Sequence, residues 1–126
     1  MNRKLIYIID NDEMSRYITA KMVRLKEPSC VIREFDNVVS AIGQITSNIH
    51  DPQALPDIIF LDLYLPDKNG AYFLQEYQKI SDQLPKDIHI HVLTAEAVEK
   101  KKPLHSAFIQ SFIEKPITQE MLMQVL

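Results

Sequence analysis

Short apolar runs and amphipathic stretches alternate along the chain, and the alternation predicts strands and helices in turn. "LIYII" (5–9) is apolar throughout, which predicts a strand covered on both faces. After it Met14, Ile18, Met22 and Leu25 recur at helical spacing, and Pro28 ends that helix. "CVIREF" (30–35) reads as a second strand. Asp36 or Asn37 can cap the next helix, whose Val38, Ala41, Ile42, Ile45 and Ile49 form an apolar stripe. A loop, "HDPQALP" (50–56), leads to a third strand, "DIIFL" (57–61). Asn69 and Gly70 then open a helix carrying Phe73, Leu74, Tyr77 and Ile80. Beyond the loop "SDQLPKD", "IHIHVL" (88–93) is a fourth strand and "FI" (112–113) a short fifth. "TQEMLMQVL" is a last helix capped by Thr118. The stretch 95–111 holds Pro103, which is awkward inside a helix. One short helix is expected there.

Strand followed by helix, five times over, predicts an α/β fold with a parallel sheet and helices on both faces. Ligands of such sheets sit at the carboxyl ends of the strands. The 126 residues suit a single domain spanning 1–126, with no internal repeat or linker. A formal net charge of −3 argues against direct nucleic-acid binding. One cysteine, Cys30, rules out an internal disulfide and makes a cysteine-based zinc site implausible. The apolar run after the charged N-terminus is too short for a signal peptide, and nothing has the length of a membrane span. A soluble, cytoplasmic protein with no membrane contact is expected. With only Gly43 and Gly70, no glycine-rich phosphate loop can be built.

Chemistry gathers at the expected strand ends. The first strand runs into Asp10, Asn11, Asp12 and Glu13, and the third into Asp62. The fourth ends at Thr94, and Glu114, Lys115 and Pro116 follow the fifth. Carboxylates, a hydroxyl and an amine on one rim suit phosphoryl transfer onto Asp62, since a carboxylate can act as a nucleophile. Mg²⁺ accepts oxygen ligands from one or two carboxylates, waters and phosphate oxygens, and Asp10 with Asp62 could supply the pair. Lys115 and Thr94 could meet the other phosphoryl oxygens. The apolar strand would anchor Asp62 so that it meets metal and phosphate with little reorganisation.

The ordered set "IIDNDE", "IIFLDLYLPDKNG", "HVLTAEA" and "FIEKPI" resembles the receiver domain of two-component response regulators, the CheY-like family, over essentially the whole chain. The resemblance implies a flavodoxin-like (βα)5 sandwich with strand order 2-1-3-4-5. It implies Asp62 as phosphoacceptor, with Asp10, Asp62 and the Tyr64 backbone carbonyl on Mg²⁺. Thr94 would be the switch hydroxyl, Lys115 the phosphoryl-contacting lysine and Phe112 a switch aromatic, with a cis bond common between Lys115 and Pro116. The donor would be a sensor histidine kinase or a histidine phosphotransfer protein. The domain would assist its own phosphorylation and hydrolysis without being an enzyme on an outside substrate. The output domain or downstream protein is unreadable from the sequence, and homodimers through the last helix and fifth strand occur in this family.

One position departs from the pattern: Asn11 stands where the family usually has a second acid. A unit-charge pair 4 Å apart is worth about 4 kcal/mol at an effective dielectric of 20, before desolvation. Some of that would be missing from metal affinity unless Asp12 or Glu13 turns inward. The plainer reading makes both first-turn acids favoured by the helix dipole. The alternative function is therefore a pseudo-receiver, an interaction module with weak or no phosphorylation. A phosphatase of the haloacid-dehalogenase type needs an acid where Tyr64 stands. Plainer readings also hold for Phe112 as core, Tyr64 as an exposed aromatic near the site, and "EKKK" (99–102) as a solvated face. His89 and His91 share a strand face like a metal pair, but without a third ligand they read as sheet-surface or loosely packed residues.

Overall fold

Leu5–Ile9 forms β1, buried along its whole length as its unbroken apolar run requires. The computed structural model describes residues 3–63, 69–95 and 107–126. In these, β1 is followed by α1 (Glu13–Lys26), β2 (Val31–Phe35), α2 (Val38–Ser47), β3 (Ile58–Asp62), α3 (Gly70–Ile80), a 3-10 turn (Ser81–Gln83), β4 (His89–Thr94), β5 (Ile109–Glu114) and α4 (Gln119–Val125). The strands form one sheet in the order β2-β1-β3-β4-β5, with every pair parallel. The expected topology is therefore met.

Side chains alternate across each strand, so the sheet divides the core in two. Tyr7, Ile9, Ile59, Leu61, Ile90 and Val92 pack with α2 and α3 through Val38, Ala41, Ile45, Phe73, Leu74 and Tyr77. Ile6, Ile8, Phe60, Leu93 and Ile113 pack with α1 and α4 through Ala20, Val23 and Leu122. Phe60 and Phe73 are fully buried, and truncating either to alanine would cost about 3–5 kcal/mol. Helix starts are set locally: the side chains of Asp12, Asn37, Asn69 and Thr118 each accept a backbone N–H of the first turn.

Four details differ from the expectations. Met14 and Leu25 of α1 are each 64% exposed, and the buried residues are Thr19, Ala20 and Val23. At about 3.6 residues per turn these lie on the side opposite Met14, Ile18 and Leu25. The bulky Ile6, Ile8 and Phe60 already fill the sheet surface, so the helix rests on it through smaller residues. α2 ends at Ser47, leaving Ile49 outside the helix. β5 runs for six residues, because pairing with β4 extends past the apolar run to Ile109 and Ser111 before it and Glu114 after it, with a register irregularity at Gln110. That pairing also makes 109–111 strand, where a helix was expected; residues 96–106, with "EKKK" and Pro103, lie outside the described residues. Finally, His91 is neither surface nor loose. It is buried at 3% exposure, its Nδ1 is 2.6 Å from Ser111 Oγ, and its ring stacks on Phe60, while His89 is exposed.

Candidate functional site

The carboxyl ends of β1, β3 and β4 and the start of the β5–α4 connection meet at one rim. Parallel pairing aligns Ile9 with Leu61 and Asp62 with Leu93, so Asp10 and Asp62 finish neighbouring strands at the same level. The Lys115 backbone N–H donates to the Thr94 carbonyl at 2.8 Å, which brings that lysine alongside. Its Nζ lies 2.9 Å from Asp10 Oδ2 and 3.5 Å from Asp62 Oδ1. The Lys115–Pro116 peptide bond is cis.

Asp10 is fully buried, and burial works against its charge. The Ser15 hydroxyl donates to Oδ2 at 2.6 Å, the Asp12 N–H to Oδ1 at 3.0 Å, and the Lys115 ammonium to Oδ2. Together they outweigh desolvation and hold the carboxyl below its usual range. Asp62 has less support. Burial raises it, the Lys115 ammonium draws it back, and the adjoining Asp10 charge adds to the rise, leaving it at about 6. The two acids thus differ: one is firmly ionised, the other gives up its charge readily.

Thr94 is buried at the end of β4, and alternation from Ile90 and Val92 puts it on the α2–α3 side. Phe112 is half-buried on that same side. Asp10, Asp62 and Lys115 follow the alternation of the α1–α4 side instead. Asn11 is exposed, Asp12 is spent on capping α1, and Glu13 is an exposed first-turn acid. Neither acid turns inward. Tyr64 lies outside the described residues.

Two contacts at Asp10 escaped the sequence reading. Ser15 is one; the other is Arg16, whose Nη1 donates to the Asp10 carbonyl at 2.8 Å while Nε meets Glu34 Oε1 at 3.1 Å. A signal existed for Ser15. With Asp12 as cap it is the third helical residue, whose side chain reaches back towards the cap.

The donor set fits Mg²⁺: hard carboxylate oxygens, with neither imidazole nor thiolate among them. Among the described residues no group of three or more His, Cys, Asp or Glu side chains gathers to hold a metal. Mg²⁺ does not require one, since it keeps waters around one or two carboxylates.

Solved structures share this architecture. A two-component response regulator from Cytophaga hutchinsonii aligns with a TM-score of 0.84 at 16% identity, covering 99% of this chain and 95% of that one. One from Legionella pneumophila gives 0.79 at 22% identity, covering 98% and 95%. The receiver domain of the histidine kinase CKI1 from Arabidopsis thaliana, complexed with Mg²⁺, gives 0.79 at 17% identity, covering 99% and 94%. Among curated protein sequences none matches significantly. The family model described as the response regulator receiver domain matches residues 6–126, and by that match the chain belongs to the receiver domain family.

Proposed function

We propose that the chain, as a single receiver domain, accepts a phosphoryl group on Asp62 from a phosphohistidine of a sensor kinase or phosphotransfer protein. The observation that carries this reading is the meeting of Asp10 and Asp62 at one ammonium, with Nζ distances of 2.9 and 3.5 Å. A carboxylate oxygen of Asp62 attacks phosphorus, the P–N bond breaks, and its electron pair returns to the donor imidazole. Hydrolysis later releases phosphate and restores the carboxylate. Asp10 and Asp62 would hold Mg²⁺, with the Tyr64 carbonyl and a weak contribution from Asn11. When bound, the cation supplies positive charge against the phosphoryl oxygens.

Lys115 neutralises a phosphoryl oxygen and Thr94 donates its hydroxyl to another. Thr94 and Phe112 share one side of the sheet, so a displaced Thr94 repacks Phe112 against the α2–α3 core. Binding to a downstream partner follows as a population shift. The domain works as a signalling switch in the cytoplasm; no helix among the described residues is long and apolar enough to cross a membrane.

The test is intact-mass spectrometry after incubation with acetyl phosphate, with and without Mg²⁺, on wild type and Asp62→Asn. A metal-dependent gain of one phosphoryl group, absent in the variant, is expected. The exposed Asn11 and the diverted Asp12 favour one rival, a pseudo-receiver. Folded protein that stays unmodified by a phosphohistidine donor as well would decide for it.

A further inference from the structure

Asp10 is held on both oxygens, and the way it is held restricts what it can offer a cation. A carboxylate has about four acceptor positions. On Oδ2, the Ser15 hydroxyl at 2.6 Å and the Lys115 ammonium at 2.9 Å fill both. On Oδ1, the Asp12 N–H at 3.0 Å fills one and leaves one. Ser15 sits on α1, whose start is fixed by the Asp12 cap and by Arg16 on the Asp10 carbonyl, so its hydroxyl has little freedom to leave.

We infer that Ser15 is a positioning residue that makes Asp10 a one-oxygen, one-position partner for the cation and thereby selects Mg²⁺ over Ca²⁺. The inference rests on the proposed use of Asp10 at the metal. Mg²⁺ demands near-octahedral geometry with single-oxygen contacts, whereas Ca²⁺ accepts a carboxylate through both oxygens at longer distances. With the hydroxyl present, Oδ2 is closed and only the Mg²⁺ mode is served. Removing it opens a position on Oδ2 and frees the carboxylate to turn, which weakens the fixed mode and admits the two-oxygen one. Hydrogen-bond partners of metal-binding carboxylates are typically worth 10–100-fold in affinity.

The experiment is calorimetric titration of the full chain with Mg²⁺ and with Ca²⁺, for wild type, Ser15→Ala and Ser15→Thr, alongside metal-free melting curves. Ser15→Ala is expected to bind Mg²⁺ about tenfold more weakly while Ca²⁺ binding holds or tightens, so that selectivity falls. Ser15→Thr, which keeps the hydroxyl, should restore selectivity. Equal weakening of both cations, or no change in either, would overturn the inference. If Ser15→Ala alters melting, Ser15→Thr at wild-type stability still decides, because lost selectivity there also overturns it. Wild type that binds neither cation would bring down the metal-dependent function together with this inference, whereas a Mg²⁺-binding wild type matched by Ser15→Ala sinks the inference alone.

Discussion

Asp10 and Asp62 are the same residue type on adjoining strands, yet their surroundings drive them apart. Three donors reach the Asp10 side chain, while Asp62 has Lys115 at 3.5 Å and a charged neighbour. A carboxyl held at about 6 instead of 3.8 binds a proton more readily folded than unfolded. Its ionisation therefore costs fold stability as pH rises from about 4 to 6, on the order of 2–3 kcal/mol. Asp62→Asn should accordingly raise the unfolding free energy by about 1–3 kcal/mol at pH 7, and the gain should vanish near pH 4. Urea titrations at both pH values check this; an equal gain at both would contradict it. Asp62 was legible from its place after an apolar strand. Its weak hold on charge was not, because that depends on a lysine from the far end of the sequence.

At the scale of elements, α1 shows what periodicity can and cannot say. The spacing of Met14, Ile18, Met22 and Leu25 did announce a helix, but Met14 and Leu25 face solvent, Met22 packs at the edge of the core, and the sheet takes Thr19, Ala20 and Val23. Periodicity gives the period; the phase is fixed by the cap and by Arg16 reaching the Asp10 carbonyl. α2 and α3 are more fully legible, since Val38, Ala41, Ile45, Phe73, Leu74 and Tyr77 do pack inwards and α2 is capped by Asn37, one of its two candidates. The two glycines differ. A Cβ on Gly43 would meet nothing within 4 Å, so Gly43→Ala should stabilise α2 by about 0.5–1 kcal/mol in thermal or urea unfolding. A Cβ on Gly70 would press the Leu63 carbonyl at 3.3 Å, next to Asp62. Gly70→Ala should therefore lower stability despite the better helix propensity, and a gain like that at Gly43 would contradict the crowding.

For the whole molecule, stability against pH sums groups that pull in opposite directions. Burial, with the His89 charge adding to it, lowers His91 to about 4. Below pH 6.5 the unfolded chain takes up a proton there that the folded chain refuses, so stability falls with falling pH, by about 3 kcal/mol in all. Asp62 has the opposite slope over nearly the same window. Wild type should show a flat stability profile between pH 4 and 6. His91→Gln should leave a profile that falls as pH rises, and Asp62→Asn one that falls as pH drops. Equilibrium unfolding across that range distinguishes all three. The fold itself was largely readable, because parallel βα order is written in alternating local patterns. Burial of His91 was not, since its partners Phe60 and Ser111 come from two other strands.

The bond from Lys115 to Asp10 joins positions 105 residues apart. During synthesis Asp10 emerges well before the lysine that faces it. Until β5 docks, Asp10 and Asp62 lack the ammonium that meets them both. A chain cut between Asp62 and Lys115 would thus carry both carboxylates and still lack the cluster, so the site is complete only when β5 has joined the sheet.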